Sequence, residues 1–336
     1  MYAPVRSLLF ALPPEASHNL ALAGLRAFGR LPGRIVPAAG RSRRLLGLDF
    51  ANPVGLAAGL DKDAAAVEGL ARLGFGFVEV GTVTPRPQPG NPKPRLFRLP
   101  QAQALINRMG FNNGGAAAMA GRLDRLRSRG RLGATVLGVN VGKNKDTPLE
   151  AAGDDYVAAM TAVYAYADYL TLNLSSPNTP GLRALQSAEA LAPLLGQVKE
   201  AQARLASTHR RTVPLLLKIA PDLAAADVAV VADAVTRFAI DGVIATNTTI
   251  TRPGLEAAPR AAEAGGLSGR PLQPLARAAV AELRRHLDAT VPVIGVGGIM
   301  DAAAGRAMLE EGADLLQIYT GFIYRGPALV RELSRL

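Results

Sequence analysis

Eight short apolar runs recur along the chain, at residues 53–58, 76–80, 136–141, 169–174, 214–219, 241–245, 292–296 and 314–318. Each is rich in Val, Ile and Leu and is followed by a polar or glycine-rich turn. Alanine-rich stretches with helical periodicity lie between them, for example at 63–73, 154–167, 223–238, 274–287 and 301–311. Strand patterns alternating with helical ones imply a parallel sheet. Eight of them are the number that closes a (β/α)8 or TIM barrel. A chain of 336 residues, 49% hydrophobic, has the length for two ordinary domains or for one such barrel. The repeat favours one α/β barrel over residues 45–336.

In a barrel of this kind the residues just after each strand converge on one mouth. Here they are Lys62, Thr82, Asn140, Asn173 with Ser176, Lys218, Thr246 with Asn247, Gly297 with Gly298, and Tyr319 with Thr320. The set holds no carboxylate pair, no histidine and no cysteine. Amides, hydroxyls, two lysines and glycine backbone suit the binding of a planar, carbonyl-rich, anionic molecule. Chemistry without strong acid–base groups points to a cofactor.

The loop Asn173-Leu174-Ser175-Ser176-Pro177-Asn178-Thr179-Pro180-Gly181 leaves the fourth run with its backbone restricted by Pro177, Pro180 and Gly181. Its hydroxyls and amides are thus held at low entropic cost. Glycine turns after the seventh run (Gly295-Val296-Gly297-Gly298-Ile299) and the eighth (Thr320-Gly321-Phe322) expose backbone N–H groups where barrels hold phosphate. Lys218 has two readings: a Schiff-base nucleophile of the aldolase type, or a retained cation beside an electron-rich ring. The longest gap, 82–133, carries Pro85, Pro87, Pro89, Pro92 and Pro94, which exclude a helix there. An insertion at that point lies over the carboxyl end of the barrel.

Cysteine is absent, so disulfides, thiolate nucleophiles and cysteine-ligated metal centres are excluded. The three histidines, His18, His209 and His286, lack metal-ligand spacing, and no metal site is expected. The net charge is +11, and residues 1–44 hold seven arginines against Glu15 alone. Residues 1–36 read as a separate extension of two short helices, punctuated by Pro13-Pro14 and Pro32-Gly33. In the second helix His18, Leu22, Leu25 and Phe28 share one side, with Asn19, Arg26 and Arg30 in a polar stripe. That pattern fits either a helix packed on its own domain or one lying on an anionic bilayer. No run approaches the ~20 residues of a membrane span and no secretory leader is read, so any membrane contact is expected to be peripheral.

These residues resemble one known family over essentially the whole chain. The segments Gly59-Leu60-Asp61-Lys62-Asp63, Glu79-Val80-Gly81-Thr82, Asn107-Arg108-Met109-Gly110-Phe111-Asn112-Asn113, Gly138-Val139-Asn140-Val141-Gly142-Lys143-Asn144, the 173–181 loop, Ala245-Thr246-Asn247-Thr248, Gly265-Gly266-Leu267-Ser268-Gly269 and the 295–299 turn resemble dihydroorotate dehydrogenase. The match is to its membrane-associated, quinone-reducing class. The resemblance implies an FMN enzyme of pyrimidine biosynthesis that oxidises dihydroorotate to orotate and passes electrons to a membrane quinone.

By that resemblance FMN contacts Ala58, Gly59, Leu60, Asp61, Lys62, Thr82, Asn140, Asn173, Lys218, Thr246, Gly269, Gly298, Tyr319 and Thr320. Dihydroorotate is held by Lys62, Asn107, Asn140, Asn173, Asn178 and Asn247, with Thr248 and the segment Arg108, Met109, Gly110, Phe111 closing around it. Ser176 matches the family's base for the C5 proton, relayed onward near Thr179. His18, Arg98 and Tyr319 match the quinone tunnel. The soluble classes of the family use a cysteine base and lack the extension, and one of them needs an iron–sulfur partner subunit. Ser176 therefore implies the class that requires no protein partner, on the cytoplasmic side of an inner membrane. The rivals are a tRNA dihydrouridine synthase, whose family pattern needs a cysteine acid, a phosphate-binding barrel acting through Lys218, and a nucleic-acid-binding protein supported only by the basic N-terminus.

Overall fold

The computed structural model of the chain describes residues 2–255 and 258–336, so Met1 of the expected extension lies outside the described residues. The extension forms α1 (Tyr2–Ala11) and α2 (Pro14–Arg30), with Pro14 at a first-turn position where its missing N–H costs no hydrogen bond. A small hairpin follows, β1 (Arg43–Leu45) and β2 (Leu48–Phe50). The barrel strands are β3 (Val54–Leu56), β4 (Phe77–Val83), β7 (Val136–Val141), β8 (Tyr169–Asn173), β9 (Leu215–Ile219), β10 (Gly242–Ala245), β12 (Val293–Val296) and β13 (Leu315–Ile318). They pair in parallel in that order, and β13 returns to β3 to close the barrel.

The strands coincide with the eight apolar runs to within a few residues. Six begin one residue later than expected, and in three of these, β3, β9 and β12, the displaced residue is Pro53, Pro214 or Pro292, which has no N–H for the ladder. Their carbonyls still accept, from Leu316, Leu170 and Val243 respectively. Inside the barrel large rings face small residues: a Cβ on Gly138 would lie 2.1 Å from the Tyr169 ring, and one on Gly55 2.2 Å from Phe77. Phe50 meets Phe77 edge-on at 5.3 Å, so β1 and β2 plug the interior. This hairpin was not expected. Its turn, Leu46-Gly47, takes two positive φ angles of 58° and 70° without the Asn or Asp that usually signals such a turn.

The outer helices are α3 (Val67–Ala71), α4 (Ala116–Arg129), α5 (Ala152–Val163), α6 (Ala188–His209), α7 (Ala225–Arg237), α8 (Gln273–His286), α9 (Ala302–Glu310), α10 (Thr320–Arg325) and α11 (Pro327–Leu333). The helix expected at 63–73 is reduced to α3. The Asp61 carboxylate captures the N–H groups of Ala65 and Ala66 at 2.8 and 2.7 Å, and Ala64 is left-handed at φ 55°. A helix cannot start until that turn ends.

The 82–133 insertion does cover the mouth. Its strands β5 (Leu96–Leu99) and β6 (Ala104–Asn107) form an antiparallel sheet, joined on the other edge of β6 by β11 (Gly266–Gly269). The extension is locked onto this lid and onto α10. Glu15 pairs with buried Arg95 at 2.7 Å, Arg98 donates to the carbonyls of Phe10 and Leu12, and Tyr2 Oη donates to Ile323 O. On α2 the His18, Leu22 and Leu25 side turns toward the barrel, while Phe28 stays exposed. The backbones of α2 and α3 meet so closely that a Cβ on Gly69 would lie 1.9 Å from Leu25 O. The large apolar side chains that residues 2–36 leave outward are Val5, Leu8, Leu12, Leu20, Phe28, Leu31 and Val36.

Candidate active site

The site grows from one carboxylate. Glu79 on β4 is fully buried inside the barrel and accepts from Asn140 Nδ2 at 2.8 Å, Tyr169 Oη at 3.0 Å and Gln317 Nε2 at 2.8 Å. A buried charge needs such partners to survive desolvation. The Asn140 amide is thereby oriented with Oδ1 toward the mouth, where it accepts from Thr82 Oγ1 at 2.5 Å and Asn173 Nδ2 at 3.2 Å. Asn173 Oδ1 in turn accepts from Asn247 Nδ2 at 3.3 Å. Strand register does the rest, since Asn173 on β8 lies beside Lys218 on β9.

The result is a cleft of about 1040 Å³, its opening included, at the carboxyl ends of the strands. Lys62, Thr82, Asn173, Ser176, Asn178, Lys218, Thr246, Asn247 and Thr248 line it, as do Asn107, Met109, Gly110 and Phe111 from the insertion. Asn140 stands behind this wall rather than in it. Its expected contacts reach the cleft through Thr82 and Asn173. Arg108 turns away, paired with Glu263 at 2.7 Å over the Phe97 ring. Leu60 and Asp61 are also buried outside the cleft, where the Asp61 carboxylate shapes the turn that presents Lys62.

The two neighbouring serines are separated by their partners. Ser175 is fully buried, donating to Asn173 Oδ1 at 3.1 Å and accepting from Asn247 Nδ2 at 3.0 Å. Ser176 faces the cleft, its Oγ accepting, among the described residues, only the long Asn178 N–H at 3.3 Å. Thr179 lines an adjoining cleft that shares Gly110, Phe111 and Asn178 with the first. The lid is tied down by Asn178 Nδ2 donating to Asn107 Oδ1 at 3.1 Å and by Lys62 Nζ donating to Gly110 O at 3.3 Å.

The other half of the cleft is backbone. N–H groups of Gly298 and Ile299 donate to no carbonyl among the described residues, and those opening α10 at Thr320 and Gly321 are free by helix geometry. Gly298 has φ 68°, and a Cβ there would lie 2.5 Å from Gln273 Cβ. A Cβ on Gly269 would crowd Thr320, and one on Gly59 would reach the Tyr319 ring at 3.2 Å. Ala58 completes this wall. Lys218 is buried with no hydrogen-bond acceptor among the described residues, and burial pulls its ammonium pKa down against the opposing pull of Glu79. Lys62 is lowered to about 8, first by burial and then by Arg95. An anionic ring system with a phosphate tail meets both needs: acceptors for the lysine and the free N–H groups, and a flat body for the glycine cradle.

Of the expected quinone residues only Tyr319 lines the cleft, its Oη donating to Gly59 O at 3.3 Å. Arg98 is committed to the extension, adding Ser17 Oγ at 2.8 Å and the Phe10 ring at 4.6 Å to its carbonyl partners. His18 stands near Lys62 and Arg95 without entering the cleft. Burial first and Lys62 second lower its pKa to about 4, so the imidazole is neutral near pH 7. Sequence reasoning missed Glu79, Ser268, which accepts from Thr320 Oγ1 at 2.8 Å, and the apolar lining from Leu96 and Leu105. Glu79 carried a signal: an acid inside a strand buried on both faces is rare unless it is paired.

Such a site, with free backbone donors and buried lysines in place of a nucleophile and its base, defines a barrel enzyme that works on a bound cofactor. The family described as Dihydroorotate dehydrogenase matches residues 42–335. A relative from Alkalilimnicola ehrlichii, named dihydroorotate dehydrogenase (quinone), is 55% identical over 100% of this chain and 98% of its own. One of the same name from Nitrosospira multiformis is 52% identical, over 100% and 95%. The crystal structure of the Eimeria tenella enzyme in complex with ferulenol superposes with a TM-score of 0.88 at 39% identity, covering 97% of this chain and 93% of that one. The chain belongs to the dihydroorotate dehydrogenase family, whose members are flavin-dependent oxidoreductases.

The Glu79→Gln variant turns one acceptor of this network into a donor, leaving at least one of Asn140, Tyr169 and Gln317 unpaired. Chemical denaturation is expected to show a loss of about 1–3 kcal/mol. Unchanged stability would remove Glu79 from the account.

Proposed function

We propose that the chain oxidises (S)-dihydroorotate to orotate in the de novo pathway to UMP, with FMN in the cleft and a membrane quinone as final acceptor. The observation that carries this reading is the buried, acceptorless Lys218 facing a cleft with free N–H groups at Gly298, Ile299, Thr320 and Gly321. FMN supplies a two-electron acceptor that the side chains lack. Ala58, Gly59, Lys62, Thr82, Asn173, Lys218, Thr246, Gly269, Gly298, Tyr319 and Thr320 would hold it. Leu60, Asp61 and Asn140 act from behind by fixing those residues.

Dihydroorotate is a cyclic imide with a carboxylate, and the lining matches it group by group. Lys62 balances the carboxylate, while Asn107, Asn173, Asn178 and Asn247 pair with ring N–H and carbonyl groups. Met109, Gly110, Phe111 and Thr248 close over the ring and exclude water, strengthening each polar contact. Ser176 Oγ takes the C5 proton and passes it toward Thr179 and the outer cleft. A serine hydroxyl is a weak base unaided, so the reaction depends on that onward path.

The exposed Val5, Leu8, Leu12, Leu20 and Leu31, on an extension rich in arginine, support peripheral binding to an anionic membrane. No described helix is long and apolar enough to cross one. The proposed location is the cytoplasmic side of an inner membrane. Quinone would approach under residues 1–36, with Tyr319 at the cleft and His18 and Arg98 shaping the passage. No protein partner is required.

Anaerobic stopped-flow of Ser176→Ala should show flavin reduction by dihydroorotate slowed about 10²–10⁴-fold with substrate affinity little changed. A near-normal rate would reassign the base. Lys62 loses its proton as pH rises through about 8, so kcat/KM for dihydroorotate should fall above that value. The fall in kcat should be smaller, because bound carboxylate retains the proton. A flat profile would separate Lys62 from substrate binding. Removing residues 1–36 should spare flavin reduction yet abolish turnover with long-chain quinones, and intact turnover would contradict the role given to the extension.

A further inference from the structure

A second cavity lies on the flank where α2 crosses the barrel, enclosing about 730 Å³ with its opening. One wall is α2, with Arg26 and Arg30. The other is α4, with Arg122, Arg125 and Arg129. Spacings of three and four residues place the arginines of each helix on one face. The two helices belong to the extension and to the barrel respectively, so the cavity straddles their junction.

These charges are poorly compensated. Glu68 also lines the cavity, its Oε1 without a hydrogen bond, and this one carboxylate, near Arg129 at 3.3 Å and Arg131 at 3.5 Å, faces five lining arginines. Among the described residues Arg122 has only Asp63, 3.9 Å away, and its Nη1 is buried with no acceptor. Arg26, Arg30 and Arg125 have no hydrogen-bond or ion-pair partner among the described residues. A solvated arginine on an open surface needs no partner. A buried guanidinium N–H does, and cations gathered around one cavity repel until an anion joins them. Guanidinium forks match the tetrahedral oxygens of phosphate.

We propose that this cavity is a binding site for a phosphate-bearing anion, a monoester or diester, held by Arg26, Arg30, Arg122 and Arg125. Occupancy joins α2 to α4 and so clamps the extension onto the barrel. The phosphate can come from a soluble ester or from a lipid headgroup. The site is independent of the reaction assigned to the active cleft.

The test uses the full chain with its flavin bound, so that the active cleft does not compete for the probe. Sodium pyrophosphate is titrated against sodium chloride of equal ionic strength by thermal shift and calorimetry. Flotation compares vesicles of phosphatidylcholine with and without phosphatidylglycerol. The Arg122→Gln/Arg125→Gln double variant should bind at least one probe about tenfold more weakly. Loss toward pyrophosphate assigns a soluble ester, and loss toward phosphatidylglycerol vesicles alone assigns a headgroup. Should that variant fail to fold, Arg26→Gln/Arg30→Gln on the exposed side of α2 carries the same test. If wild type binds neither probe, or a folded variant binds both as wild type does, the proposal is overturned.

Discussion

A carboxylate inside a barrel is tolerated only when its oxygens are satisfied, and the active cleft is organised by how Glu79 meets that requirement. Three donors from three other strands converge on it: Asn140 from β7, Tyr169 from β8 and Gln317 from β13. The first is an amide, so fixing its nitrogen also fixes its oxygen. Through that oxygen the order passes to Thr82 and Asn173, and from Asn173 to Asn247 and Ser175. The mouth therefore inherits its geometry from a group that never touches it. The same anion opposes the effect of burial on Lys218 and helps that residue retain its charge.

The two serines illustrate how the 173–181 loop uses this order. Ser175 is drawn into the amide network and loses its freedom as donor and acceptor, whereas Ser176 is left facing the cleft. The prolines that restrict the loop backbone are what allow adjacent, chemically identical residues to take different roles. On the other side of the cleft the 82–133 insertion closes the pocket, and Glu15, Arg95 and Arg98 tie the N-terminal extension to that lid. Substrate chemistry and the extension are thus joined through one small antiparallel sheet.

Much of this was legible in the sequence because barrels place function at predictable points. Eight apolar runs identified the strands, and reading the residue after each run recovered Lys62, Thr82, Asn173, Lys218, Thr246 and Tyr319. The resemblance to a known family supplied the roles that composition cannot. What escaped depends on contacts distant in sequence. Glu79 and Gln317 are 238 residues apart, and nothing local announces their pairing. The β1–β2 hairpin turns on Leu46-Gly47, a pair without the usual turn chemistry. The third lid strand is four residues long, Gly266–Gly269, and reads as a loop until β6 pairs with it. The anchoring part played by Arg98 was equally illegible, since its guanidinium donates to carbonyls of Leu9, Phe10 and Leu12, more than eighty residues away in sequence.

The central claim, that this barrel holds a flavin which dihydroorotate reduces directly, is tested most simply by the colour of the purified protein. Dihydroorotate added without oxygen should bleach the flavin absorbance of the full-length chain in proportion to the flavin bound. A protein that binds no flavin, or a bound flavin that stays oxidised in excess dihydroorotate, would contradict the account.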